Sequence, residues 1–232
     1  MAKNSTAISD RLRGGSSRTT VTPTSARWAY RSALKRVCDL LFTLFALPFA
    51  VPFGLVTALL IRLDSPGPVL VRFKRLGQNG NTFYKYKFRT MVPDAEAILK
   101  VLLESDTQLR AEYLATYKIK NDPRITRVGK WLRKCSLDEL PQVLNVCKGE
   151  MSWVGPRDIL DSELRMYGES GSKLLTVKPG ITGLWQVSGR SKLSYAERVQ
   201  LDCHYIDNMS LLMDLTIILR TIPVVLFGDG AV

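Results

Sequence analysis

The stretch LLFTLFALPFAVPFGLVTALLI, residues 40–61, decides the fold of this chain. Its 22 residues carry no charge, and a helix of about 20 apolar residues is long enough to cross the roughly 30 Å hydrocarbon core of a bilayer. A cleaved signal peptide is disfavoured because the apolar run is too long, begins too late and lacks a small-residue cleavage site. The sequence therefore predicts a helix in a membrane.

Pro48 and Pro52, in the middle of this stretch, predict a sharp bend, since each removes a backbone donor and clashes with the preceding turn. Basic residues flank both ends, so the positive-inside rule is best satisfied when both ends stay cytoplasmic. This pattern favours a re-entrant hairpin of two half-helices, and a proline-kinked spanning helix stays open as the alternative. The flanking residues are Arg27, Arg31, Lys35 and Arg36 before the stretch and Arg62, Arg72, Lys74 and Arg75 after it.

The segments on either side of the apolar stretch differ in composition. Residues 1–32 are rich in Ser, Thr and basic residues and poor in large apolar side chains, which predicts a flexible basic tail. Residues 63–232 read as a mixture of strands and helices. The predicted elements are a strand at 69–77, a second strand at 82–91 with a turn between them, a helix from 93 to about 117, and a basic amphipathic segment at 119–134 that is expected on lipid headgroups.

Composition restricts the classes of function. Lys and Arg number 33 against 21 Asp and Glu, and this net charge of +12 attracts phosphate in nucleic acid, anionic membranes or nucleotide substrates. Four scattered cysteines and a single histidine, His204, exclude a zinc finger and a disulfide-dense scaffold and disfavour a Ser/His/Asp mechanism. A soluble kinase is disfavoured as well, because the sequence has no P-loop with its Lys and Ser/Thr.

The segment Ser-Leu-Asp-Glu-Leu at residues 136–140 has two compatible interpretations. Ser136 followed three residues later by Glu139 is typical of a capping box at a helix N-terminus. That terminus also attracts phosphate, and Asp138 in its first turn is suited to attack a phosphorus atom. Because adjacent helical side chains point about 100° apart, we expect one carboxylate to act as nucleophile and the other as a magnesium ligand.

Three arginines lie at or near glycine turns or helix starts: Arg133, Arg157 in VGPR and Arg190 in SGR. Each alone is typical of a solvated surface, but together they indicate a site that grips a diphosphate by bidentate contacts. Lys87 belongs to the same set, because Lys85, Lys87 and Arg89 share one face of a predicted strand. The glycine-rich loop at 178–190 adds Trp185, interpreted as a stacking residue, a membrane-facing wedge or a simple anchor.

The motifs KRVCD, YKFRTM, SLDELPQ, NVCKGEMSWVGPR and KPGITGLWQVSGR, in this order from about Lys35 to Phe227, resemble the bacterial sugar transferases. These are monotopic polyprenyl-phosphate phosphoglycosyl transferases. The resemblance implies a mixed α/β fold, namely a small membrane-associated catalytic domain with an N-terminal re-entrant helix hairpin at 33–62 and interfacial amphipathic helices. It assigns residues 63–232 to the cytoplasmic phosphoglycosyl transferase domain.

Carried over residue by residue, the resemblance implies a catalytic dyad of Asp138, the nucleophile, and Glu139, near a Mg²⁺ ion. It also implies a set of substrate-binding residues: Lys87, Arg133, Arg157, Arg190 and Asp214. Two departures from the family pattern are visible. Val51-Pro52 stands where Ser-Pro is common, and VGPR is followed by Asp158 instead of proline.

The implied reaction starts exopolysaccharide synthesis: a hexose 1-phosphate passes from a UDP-hexose, galactose or glucose, through an aspartyl intermediate to undecaprenyl phosphate. The implied location is the cytoplasmic face of the bacterial inner membrane, with an anionic membrane and no nucleic acid as partners, and a homodimer is left open. The alternative from the residues alone is a non-catalytic, basic, membrane-tethered module that binds nucleic acid or lipid. Such a module should tolerate Asp138→Asn, whereas the enzyme should not.

Overall fold

A computed structural model describes residues 33–116, 119 and 121–227 of the chain. The predicted basic tail therefore lies outside the described residues. Helix α1 (Lys35–Asp64) runs as one helix through both Pro48 and Pro52. The two separate half-helices predicted from these prolines are not seen, because proline keeps a helical φ and the backbone hydrogen bonds that it removes can bend a helix without ending it. By length and composition α1 is sufficient to cross a membrane, and 11% of its most apolar 18-residue window is buried.

Both ends of α1 pack on the same protein unit. Near the N-terminal end, Lys35, Asp39 and Thr43 form a buried polar stripe at helical spacing, and Asp39 Oδ1 accepts hydrogen bonds from Ser152 Oγ (2.9 Å) and the Trp153 amide (3.1 Å). Near the other end, Ile61 packs in a core cluster that contains Phe88 and Leu132. The apolar side chains between these ends are largely exposed, Leu44 to 68%, Phe49 to 61% and Phe53 to 61%.

The predicted hairpin is confirmed as two antiparallel strands, β1 (Leu70–Leu76) and β2 (Thr82–Phe88). The register places Phe73 opposite Lys85 and Val71 opposite Lys87, so these four side chains share one face. Lys85 on this face is buried, whereas Tyr84 on the other face is 53% exposed. The basic face of the hairpin therefore points toward the rest of the protein, where its two lysines contact carboxylates.

The helix predicted over 93–117 is two helices, α2 (Ala95–Ser105) and α3 (Thr107–Thr116). The break falls at Asp106, which is extended and whose carboxylate accepts the Gln108 and Leu109 amides at the start of α3. No residue of α2 is buried. The position on lipid headgroups predicted for residues 119–134 stays a prediction. The basic segment that follows becomes helical only at α4 (Arg127–Lys134), which Thr126 caps.

The remaining elements surround a second, parallel two-stranded sheet. Its strand β3 (Ser152–Val154) ends at the first residue of the VGPR motif, and its strand β4 (Gly180–Thr182) lies within the glycine-rich loop. The largest core cluster, which includes Val154, Tyr205 and Ile217, packs beside this sheet. In chain order these elements are a 3-10 helix at Leu137–Gln142, α5 (Val143–Lys148), β3 (Ser152–Val154), α6 (Gly171–Leu174), β4 (Gly180–Thr182), α7 (Tyr195–Asn208) and α8 (Leu211–Phe227).

Candidate active site

The site centres on an ammonium group that contacts two adjacent carboxylates. Lys87 Nζ on β2 donates to Asp138 Oδ2 at 2.8 Å and lies 3.0 Å from Glu139 Oε1. Asp138 is buried and Glu139 is half-buried. Among the residues that the structure describes, none donates a hydrogen bond to Asp138 Oδ1. One oxygen of the buried aspartate is thus fixed by Lys87, and the other is available.

The charges in this group stabilise one another. Burial favours a neutral Glu139, but the charges of Lys87 and Lys85 outweigh it and hold the pKa of Glu139 below its usual value. Burial likewise works against the charge of Lys87, but Glu139 and Asp138 raise the pKa of Lys87 above its usual value. Lys87 therefore stays cationic and Glu139 stays anionic at neutral pH.

The capping box predicted for Ser136 and Glu139 is wrong. Ser136 has a left-handed backbone (φ 55°) and makes no capping hydrogen bond, and residues 137–142 form a 3-10 helix that contains Pro141. Proline inside the segment removes a backbone donor, which explains why a regular α-helical first turn does not form. Instead, Ser136 Oγ lies 3.3 Å from Arg190 Nη2. Lys87, rather than a capped α-helix terminus, supplies the positive charge beside Asp138.

A second ion-pair group lies next to the dyad and was missed by the sequence reasoning. Lys85 Nζ donates to Asp158 Oδ1 at 2.6 Å, and Arg75 Nε donates to Asp158 Oδ2 at 2.8 Å. Burial favours the neutral acid, but Lys85 and Arg157 hold the pKa of Asp158 well below its usual range. Two features of the sequence could have indicated this group: the basic strand face that carries Lys85, and Asp158 directly after VGPR.

Of the other basic residues on and near β2, Arg133 lies at the site and Arg89 does not. Arg133 Nε donates to Thr90 Oγ1 at 2.9 Å. Burial lowers the pKa of Arg133, and the charges of Asp138 and Asp122 oppose that shift. Arg89 instead donates to the backbone carbonyls of Ser65 and Pro66, where the chain leaves α1.

Two of the predicted arginines approach the dyad from loops. The guanidinium of Arg157 follows β3 and lies over the ring of Trp185, with its carbon 5.7 Å from the ring centroid. Arg198 on α7 also lies over this ring, at 5.0 Å. Trp185 is only 5% exposed, so the membrane-facing wedge is wrong and the anchoring role is confirmed. Arg190 contacts Ser136, two residues before Asp138.

Asp214, the remaining predicted site residue, lies in a different network. Its carboxylate forms a buried ion pair with Lys35 of α1 and accepts the Tyr205 hydroxyl at 2.7 Å. The same hydroxyl lies 3.1 Å from the Val154 carbonyl oxygen. The structure therefore joins Asp138, Glu139, Lys87, Arg133, Arg157 and Arg190 around one centre and uses Asp214 to tie α1 to α8.

The described part of the chain contains no group of three or more His, Cys, Asp or Glu side chains arranged to hold a metal. Those residues therefore offer no metal cage made by protein alone. The Asp138 and Glu139 pair matches a different pattern, in which Mg²⁺ binds one or two carboxylates and completes its shell with waters and substrate phosphates.

A long apolar helix packed on an α/β unit, with adjacent acids beside lysine and arginine side chains, points to a class of protein: an enzyme that acts on phosphate groups. The family model described as "Bacterial sugar transferase" matches residues 30–228. The chain belongs to this family of transferases.

Curated relatives agree with the family assignment. The chain is 44% identical over 197 residues to the exopolysaccharide production protein ExoY of Sinorhizobium fredii, covering 85% of this chain and 87% of that protein. It is 46% identical over 198 residues to the undecaprenyl-phosphate galactose phosphotransferase of Salmonella typhimurium, covering 85% of this chain and 41% of that protein. It is 44% identical over 198 residues to the UDP-galactose-lipid carrier transferase of Erwinia amylovora, again covering 85% and 41%. The chain thus spans less than half of the latter two proteins.

Proposed function

We propose that this chain transfers a hexose 1-phosphate from a UDP-hexose, with galactose or glucose as the sugar, to undecaprenyl phosphate. The products are undecaprenyl diphosphate-sugar and UMP, and the reaction starts exopolysaccharide assembly. The observation that carries the proposal is the contact of Lys87 Nζ with both Asp138 and Glu139. The names of two relatives, one with undecaprenyl phosphate and one with UDP-galactose, support this acceptor and this donor.

In the first step Asp138 is the nucleophile. A carboxylate oxygen attacks the phosphorus that carries the sugar, and a new P–O bond forms to the aspartate. The bond from that phosphorus to the bridging oxygen breaks, and UMP leaves with its electron pair. The position of Lys87 supports this role, because it fixes Asp138 Oδ2 and leaves Oδ1 without a donor among the described residues.

In the second step an oxygen of undecaprenyl phosphate attacks the same phosphorus. The bond to Asp138 breaks, and its carboxylate is restored. Both steps gather negative charge on phosphoryl oxygens, which fixed guanidinium groups stabilise. We assign Arg133, Arg157 and Arg190 to this role. The charge of Arg133 interacts with Asp138 and that of Arg157 with Glu139, and Arg190 contacts Ser136, two residues before Asp138.

We assign Glu139 as the protein ligand of Mg²⁺, because a single carboxylate plus the donor diphosphate is a common magnesium environment. When bound, Mg²⁺ supplies charge neutralisation at the diphosphate. Lys87 has a separate task in this assignment, which is to orient Asp138 and to keep Glu139 anionic.

The enzyme works at the cytoplasmic face of the bacterial inner membrane in this proposal, with α1 as a re-entrant anchor. Contacts at both ends of α1 with one protein unit support this topology. If that unit lies on one side of a bilayer, both ends of α1 lie there too, and only its exposed middle enters the lipid. Basic residues at both ends, such as Arg36 and Arg62, suit an anionic cytoplasmic leaflet.

The test is an incubation of the purified full-length protein with UDP-hexose and Mg²⁺ but without lipid acceptor. We expect up to one equivalent of UMP and a hexose phosphate added to a peptide that contains Asp138. Asp138→Asn should form neither, whereas Asp161→Asn, at an exposed carboxylate, should behave like the wild type. Strictly sequential kinetics without an adduct would refute the covalent route, as would an Asp138→Asn protein that forms product at the normal rate.

A further inference from the structure

Phe73 is an exposed aromatic residue on the face of the hairpin that carries the active-site lysines. It is 41% exposed and lies directly opposite Lys85 in the strand register. On the same face, Lys85 and the neighbouring Arg75 both bind Asp158, and Val71 and Phe83 are the other apolar side chains. A large apolar ring left partly in water at this position is unlike the buried aromatic Phe83 of the same hairpin.

The charged neighbours fix how Phe73 presents its ring. The guanidinium of Arg75 lies over the ring at 5.7 Å from its centroid, and Asp158 holds that guanidinium in place at 2.8 Å. One side of the ring is therefore supported by a fixed cation, while the ring keeps an accessible surface. Insertion into a membrane is disfavoured here, because Arg75, Lys85 and Asp158 would have to follow the ring into lipid.

The spacing between Phe73 and the dyad fits a nucleotide. Lys85 and Lys87 are two residues apart on β2, which is about 6.8 Å along the strand, and Phe73 is displaced about 5 Å across the hairpin from Lys85. Lys87 contacts the carboxylates at which phosphoryl transfer takes place in the proposed function. Backbone geometry therefore places Phe73 about 8 Å from Lys87 on one face of the hairpin, close enough for one nucleotide to contact both residues.

We propose that Phe73 is the stacking platform for the nucleobase of the donor, with Arg75 and Asp158 as its positioning residues. This inference rests on the proposed function, because it takes the donor to be a nucleotide sugar. Stacking on an aromatic ring favours a flat base without reading its hydrogen-bonding edge, and it is worth about tenfold or more in binding for each base. Phe73 thus contributes affinity for the nucleoside end of the donor and none for its phosphates.

The test compares two probes, UMP and inorganic diphosphate, as inhibitors of the full-length enzyme in detergent. We expect Phe73→Ala to raise the inhibition constant of UMP roughly tenfold or more and to leave that of diphosphate unchanged. Phe73→Tyr should restore UMP inhibition. The matched control is Tyr84→Ala, which removes another exposed ring, 53% against 41% for Phe73, from the opposite face and should change neither constant.

Three results would overturn the inference: an unchanged UMP constant in Phe73→Ala, an equal loss for both probes, or an equal effect of Tyr84→Ala. An equal loss for both probes would mean that the substitution acts through Arg75 and Asp158 on the phosphate site. Failure of the proposed function is separate and visible in the wild type, which would then neither release UMP from UDP-hexose nor be inhibited by UMP.

Discussion

Lys87 Nζ lies 2.8 Å from Asp138 Oδ2, across 51 positions of sequence. The contact joins a strand of the hairpin to the 3-10 helix that carries the dyad, and the same ammonium reaches Glu139. Positive charge beside these acids therefore comes from a side chain that substitution can remove.

Replacing Lys87 by Met should abolish most of the activity and shift the remaining pH profile. Lys87 holds the pKa of Glu139 below its usual value against the opposing effect of burial. Without the ammonium, burial raises that pKa, so the acid limb of the profile of kcat against pH should move to higher pH. We expect a loss in kcat of roughly 10² or more, on the scale of one preorganised electrostatic contact. Lys100→Met, at an exposed lysine of α2, is the control, and an unmoved acid limb would contradict the assignment.

Arg157→Ala and Arg190→Ala should each lower turnover by roughly 10² or more, because charge that develops on a transferred phosphoryl group needs fixed donors. Steady-state kinetics with UDP-hexose and undecaprenyl phosphate provide the measurement. Arg165→Ala removes an exposed arginine outside the site and should keep the normal rate. Near-native rates in folded Arg157 and Arg190 variants would show that these residues do not bind the phosphates.

Trp185→Leu should reduce activity through Arg157, because the indole ring supports that guanidinium at 5.7 Å. Trp185→Phe keeps an aromatic face and should retain more of the rate, since cation–π attraction is weaker on Phe but not lost. The decisive measurement is a double-mutant cycle with Arg157→Gln. The effect of Trp185→Leu should largely disappear in that background, and full additivity would mean that Trp185 does not act through Arg157.

Asp158→Asn should destabilise the protein in a pH-dependent way. The folded-state pKa of Asp158 lies well below its usual range, so its contribution to stability is present above about pH 4 and is lost as the pH falls below that value. Because Lys85 is then buried without its partner, the free energy of unfolding should fall by about 3 kcal/mol or more at pH 7. Thermal unfolding in detergent from pH 7 down to pH 3 should show this difference between variant and wild type shrinking, and a constant difference would contradict the prediction.

Both ends of α1 should be accessible from the same side of the membrane. In a background without the four native cysteines, single cysteines at Ser25 and Ser65 should be labelled by an impermeant reagent in inside-out vesicles and protected in right-side-out vesicles. The physical reason is that residues near both ends, Asp39 and Ile61, are packed on one protein unit. Labelling of the two positions on opposite faces would exclude the re-entrant anchor.

Local pattern alone predicted a large part of the fold and the site. The uncharged run at 40–61 requires an apolar environment whatever surrounds it, and the alternation at 82–88 requires two different strand faces. The acids at 138 and 139 and the arginines at glycine turns were also predicted as candidate site residues, because short motifs contain them. These features depend only on the type of each side chain and on its spacing along the chain, and both are given by the sequence.

The contacts that these residues make with distant parts of the chain depend on the tertiary structure. The alternation along β2 shows that Lys85 and Lys87 share a strand face, but it does not show which carboxylate each lysine binds. Lys85 binds Asp158, 73 residues away in the sequence. Asp214 binds Lys35, 179 residues away in the sequence, and so links α8 to α1. Ser136, a capping residue by pattern, has a left-handed backbone and contacts Arg190 instead of capping the following helix. An ion pair or a cap is a property of two groups brought together, and only the folded chain brings distant groups together.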